Sequence, residues 1–133
     1  MKSYLYQLFN RYPKNTHSFI LRKKDITPVE KLLLIFILEK ITDYPEFQEE
    51  DECPLSYGYI AQGLCIDRRN IPATLASLEE KKYIIVKRQK NGKYNKTNII
   101  NISPFRKLLY QYLQETYPKF YTKDGEDVDI NDE

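Results

Sequence analysis

Apolar and polar residues alternate along the chain with periods that change from block to block, and each period predicts an element. Tyr4, Leu5, Leu8, Phe9 and Tyr12 recur at helical spacing and predict a short helix ended by Pro13. Ser18–Arg22 (SFILR) reads as a brief strand. Thr27-Pro28-Val29-Glu30 then spells a capping box, with threonine as N-cap, proline at the first helical position and glutamate three residues after the cap. A helix from Pro28 to about Ile41 follows, and its LLLIFIL run is apolar nearly all round, which predicts burial by several neighbours.

The second half of the chain changes period twice. Asp43–Glu52 is acidic and aperiodic and reads as a solvated loop. Ser56 is placed to cap a helix of about two turns carrying Ile60, Ala61 and Leu64, ending near Gly63–Cys65. Ile71, Leu75 and Leu78 define the core line of the next helix, which ends near Lys82. Pro72 must lie in its first turn, so the helix starts near Asn70 or through a distorted turn at Asp67–Asn70. Tyr83–Val86 and Thr97–Ile102 flank Asn91-Gly92, the strongest short hairpin signal. Ser103-Pro104 opens a last helix with Phe105, Leu108, Leu109, Tyr112 and Leu113 as its apolar stripe, ended before Pro118. The pattern is mainly α with a small β-hairpin.

Composition narrows the class. At 133 residues, 41% hydrophobic and 30% charged, the chain supports one core and is not disordered throughout. Its longest apolar run, Leu32–Leu38, is far below the ~18 residues that span a bilayer. The N-terminal sequence MKSYLYQLFNRYPKN lacks a signal-peptide pattern, so the expectation is a cytoplasmic protein. Cys53 and Cys65 fit no zinc spacing with the single histidine, His17, and read as reduced thiols.

The net charge of +2 conceals a strong polarity. Residues 1–24 hold six bases and no acid, 25–56 nine acids and two bases, and 67–100 nine bases and three acids. The last ten residues, DGEDVDINDE, carry six acids and compose a disordered acidic tail. Local fields of this kind, more than the total, govern attraction to a polyanion. No glycine loop with phosphate-cradling spacing, nucleophile–base pair or metal-ligand cluster is present in the pattern, so no catalytic residue, metal or cofactor is expected, nor is a small-molecule ligand evident.

The run IAQGLCIDRRNIPATLASLEEKKYIIVKR, Ile60–Arg88, resembles the winged helix-turn-helix of bacterial, phage and plasmid DNA-binding proteins. The preceding DITPVEKLLLIFIL is similar to the first helix of the subgroup found in replication-initiation proteins and related regulators. The resemblance covers about Asp25–Ile102 and implies a three-helix core plus wing, with extra N- and C-terminal helices. It implies residues 27–102 as the DNA-binding domain, while composition sets 1–26 apart as an aromatic and basic extension and 120–133 as an acidic tail. The helix within 103–119 either packs on the N-terminal stripe in the same chain or dimerises across a two-fold axis, the preferred expectation. Cys65 stands where the family has a glycine in the turn, which predicts displacement of that turn onto Gly63.

Within that frame each basic or small residue acquires a role. About 100° per residue, counted from the core line, places Arg69, Asn70, Ala73, Ala76 and Ser77 on the outward face of the recognition helix. Arg69 suits guanine and Asn70 adenine, while Ala73 and Ser77 permit close approach. Arg68, Ser56 and Tyr57, at helix starts, suit phosphates. Lys87, Arg88, Lys90, Lys93, Tyr94 and Lys96 give the hairpin a basic strip. The expected partner is double-stranded DNA, bound by a homodimer in transcription regulation or replication initiation. The alternative is a winged-helix module that assembles a protein complex.

Overall fold

The structure, a computed structural model, describes residues 13–91 and 94–116. The Tyr4–Tyr12 stripe, Lys93 and the acidic segment 124–133 lie outside them. Pro13 begins a helix, α1 (Pro13–Leu21), and the SFILR segment is helical, not a strand. Helical spacing brings Thr16 and Ile20 inward together, both fully buried, and leaves Leu21 half exposed. A strand would have set Phe19 and Leu21 on one face. In the helix Phe19 instead stacks on Tyr112 at 4.6 Å.

Helix α2 (Pro28–Asp43) starts from the predicted capping box. The Glu30 backbone N–H donates to Thr27 Oγ1 at 3.2 Å, and the Thr27 N–H donates to Glu30 Oε1 at 2.8 Å. Leu33, Leu34, Phe36, Ile37, Leu38 and Ile41 are buried, although Leu32 faces solvent.

The acidic segment is more ordered than a solvated loop. It forms a single turn, α3 (Pro45–Gln48), and a short strand, β1 (Glu52–Pro54). Gln48 Nε2 donates to the Ile41 and Thr42 carbonyls, closing the end of α2. Asp51 is buried at φ 57°, and its carboxylate accepts from Arg106 Nη1 at 3.0 Å.

Helix α4 (Tyr57–Leu64) is capped as expected, the Tyr59 N–H donating to Ser56 Oγ at 3.1 Å. A one-turn 3₁₀ segment (Arg68–Asn70) leads into α5 (Ile71–Glu80), so the distorted-turn start is the one adopted, with Pro72 in the first turn of α5. Ile71, Leu75 and Leu78 are buried as the core line required.

Strands β2 (Ile85–Asn91) and β3 (Tyr94–Asn101) form the hairpin. Tyr83 and Ile84 lie just before it, buried in the core instead of in the ladder. Asn91 pairs with Tyr94, so residues 92–93 make the connection, and the register shifts between Lys87 and Gln89. The antiparallel sheet has the order β1-β3-β2. Helix α6 (Ser103–Thr116) then returns across the molecule. Its Phe105, Leu109 and Leu113 share one core with Ile20 and Ile26 from the N-terminal side and with the residues of α2, α4 and α5. The flanking helices are thus built into the same core as the central elements.

Candidate nucleic-acid interface

The junction between α4 and α5 is set by two short-range devices. At its first corner Cys65 adopts φ 57° and donates its N–H to the Ala61 carbonyl, so the left-handed residue is the cysteine and the turn is not displaced onto Gly63. Gly63 is required for another reason: an added Cβ there would stand 2.4 Å from Phe36 Cε1. At the second corner Asp67 caps the 3₁₀ turn, accepting the Arg69 N–H at 2.8 Å.

This geometry leaves Arg68, Arg69 and Asn70 exposed at the start of α5. Arg68 lies along the first turn of α4, its Nε 3.8 Å from where a Cβ on Gly58 would sit. The Arg69 guanidinium is gripped by Asp67, with Nε 3.1 and 3.2 Å from the two carboxylate oxygens and Nη2 2.7 Å from Oδ2. That arginine holds the Asp67 carboxyl below the usual aspartate range. Ala73 and Ala76 continue the exposed face.

Ser77 does not belong to that face. It is half-buried and helps to favour the charged form of the Glu30 carboxyl, because this flank of α5 lies against the start of α2. Glu30 also accepts from Lys81 Nζ at 2.8 Å. Burial is the largest single influence on Glu30 and pushes its pKa up, yet the bonds from Lys81 and the Thr27 N–H, with the Ser77 hydroxyl acting in the same sense, hold it below the ordinary value.

At the start of α4, Ser56 is exposed and its hydroxyl already accepts the capping bond. Tyr57 is half-buried and its hydroxyl accepts from Asn98 Nδ2 at 3.1 Å, tying α4 to β3. The hairpin root is less free than a basic strip. Lys87 pairs with Glu52 at 2.8 Å and Arg88 with Glu79 at 3.3 Å, while Glu79 Oε2 accepts the Val86 N–H. Hydrogen bonding to Glu52 raises the Lys87 pKa, and the same contact lowers that of Glu52. Farther out the backbone register sets Lys90 opposite Asn95, Lys96 opposite Gln89 and Tyr94 opposite Asn91.

Two features were not foreseen. The Asp67–Arg69 grip had a local signal, an acid two residues before a base at a cap position. The other is a cleft of about 480 Å³ whose walls include Lys40, Tyr44, Phe47, Pro54, Tyr59 and Thr97. Lys40 Nζ lies over the rings of Phe36 and Tyr59, 5.2 and 5.3 Å from their centroids. Those residues are distant in sequence or ambiguous in period, and no pattern announced them.

Among the described residues no group of three or more His, Cys, Asp or Glu side chains is placed to hold a metal ion. No described helix is long and apolar enough to cross a membrane. Cys53 is buried, which pushes its thiol up to about 12, and Cys65 is exposed; neither is in a disulfide. Comparison with protein-family models, with curated proteins and with solved structures finds no match to this chain.

Proposed function

We propose that this chain is a winged helix-turn-helix that binds double-stranded DNA sequence-specifically and without catalysis, as a transcription regulator or replication-initiation factor. The order α2, β1, α4, α5, β2, β3, with β3 central in the sheet, supports that fold. One observation carries the functional reading: the start of α5 presents Arg68, Arg69 and Asn70 to solvent, followed by the small Ala73 and Ala76, on the helix that leads directly into the hairpin. Small outward side chains let a helix approach base edges, and arginine and asparagine suit guanine and adenine. The ion-paired Lys87 and Arg88 tie the ribbon root to β1 and α5, and the sequence of the ribbon adds Lys90, Lys93 and Lys96, cations of the kind that favour a phosphate backbone. Binding as a homodimer to paired half-sites belongs to the same proposal, with the exposed Leu108 of α6 available to a second copy.

The test is a titration of duplex DNA at two salt concentrations, where affinity falls with a slope of about -0.9 per phosphate neutralised. Arg69→Ala lowers discrimination between duplexes, whereas Lys90→Ala with Lys93→Ala weakens all duplexes about equally. Absence of binding at low salt, or binding indifferent to salt, removes the DNA reading. It would favour the protein-assembly alternative, for which the open aromatic cleft beside Tyr44 and Tyr59 is the supporting observation.

A further inference from the structure

We infer that Asp67 is a positioning residue for Arg69, holding the guanidinium in a preset pose whose outer edge reads a guanine; the inference rests on the DNA-binding reading above. The carboxylate is itself fixed, because Oδ1 accepts the Arg69 backbone N–H at 2.8 Å and so cannot turn away without opening the cap. From that position it engages Nε and Nη2 of the same arginine. A guanidinium carries five N–H donors in a rigid planar fork. Occupying the Nε/Nη2 edge leaves both Nη1 hydrogens and the outer Nη2 hydrogen, the edge that matches O6 and N7 of guanine in the major groove.

The placement of the pair argues against a structural role. The Arg69 side chain is 88% exposed and that of Asp67 44%, so water screens the pair and it adds little to folding. Its effect is on the free side chain, whose rotamers are restricted before any contact instead of during it. A carboxylate on a phosphate-facing surface also repels every duplex alike. The two effects have opposite signs for affinity and for discrimination, and that separates this proposal from simple charge balance.

Asp67→Asn is the informative variant. Asparagine keeps the cap, since its carbonyl oxygen accepts the same N–H, but it offers one acceptor where the guanidinium needs two. Duplexes are selected from a random pool with the unaltered protein, and dissociation constants are measured for the selected duplex, for the same duplex with the contacted G·C changed to A·T, and for random duplex. The unaltered protein loses about tenfold on that base change, as for a bidentate contact. Asp67→Asn loses threefold or less on the same change while binding random duplex more tightly, and Arg69→Ala is indifferent to the change. The thermal midpoint of Asp67→Asn stays that of the parent.

Full discrimination retained by Asp67→Asn, or equal loss on selected and random duplexes, overturns the positioning role while leaving DNA binding intact. No duplex binding by the unaltered protein removes both readings, and that outcome is distinct from either failure of the variant.

Discussion

Gly63 and Cys65 exchange the roles that their residue types suggest. Cysteine takes the left-handed corner at φ 57°, and glycine sits inside α4 where its missing side chain admits the Phe36 ring. Nothing in the local sequence distinguishes a glycine needed for backbone freedom from one needed for space, since the second depends on a partner 27 positions earlier. Gly63→Ala drives a methyl into Phe36 and destabilises the protein by roughly 1–3 kcal/mol, the usual range for overpacking. Urea unfolding measures this, and Phe36→Leu in the same chain recovers part of the loss. An equal loss in the double variant would show that the ring is not the obstacle.

At the level of elements, Glu30 joins the start of α2 to the end of α5. It is 4% exposed as a side chain and receives bonds from the Thr27 N–H and Lys81. A carboxyl whose folded pKa is depressed stabilises the fold fully above its ordinary value, 4.5 here, and loses that contribution as pH falls through the lower folded value. The thermal midpoint therefore declines on acidification below about pH 5. Glu30→Gln lowers the stability at neutral pH by about 1–3 kcal/mol, as for a charge-assisted bond, with a correspondingly lower midpoint and a flatter acid decline. A variant with the parent's full acid slope would move the effect to another carboxyl.

The same residue marks where sequence reasoning succeeds and where it stops. Thr27 and Glu30 are three positions apart, so the capping box was legible; Lys81 is 51 positions from Glu30, so the second half of the junction was not. The core line of α5 was legible from period, and the hairpin from the Asn91-Gly92 signal between two β-branched runs. Ser77 was misplaced because a helical wheel gives the face opposite one core line, and this helix has a second neighbour on its flank. SFILR read as a strand because five residues carry too little period to separate the two states, and Phe19's partner Tyr112 decides it. Lys87 and Arg88 read as free cations because their acids, Glu52 and Glu79, lie on other elements.

At the scale of the molecule, α1 and α6 close the fold from its two ends. Phe19 stacks on Tyr112 and tilts against Phe105 at 5.9 Å, so one aromatic side chain of the first described helix bears on two rings of the last. Phe19 is only partly buried, and Phe19→Ala costs about 1–3 kcal/mol, less than truncation of a fully buried ring. Hydrogen exchange checks where the loss falls: amides of α1 and the second half of α6 gain exchange, while those of α5 and β3 hold. Uniform loss of protection would mean that the ends are not a separable clasp.

The unequal settings of the two thiols give the molecule a chemical address. Cys53 is buried with its thiol pushed up to about 12, whereas Cys65 stands in solvent at the corner before Arg68 and Arg69. The thiolate is the nucleophile, so a maleimide dye added to the folded chain attaches at Cys65 and spares Cys53. One fluorophore, placed without altering the sequence, then reports from the helix junction itself when a polyanion arrives.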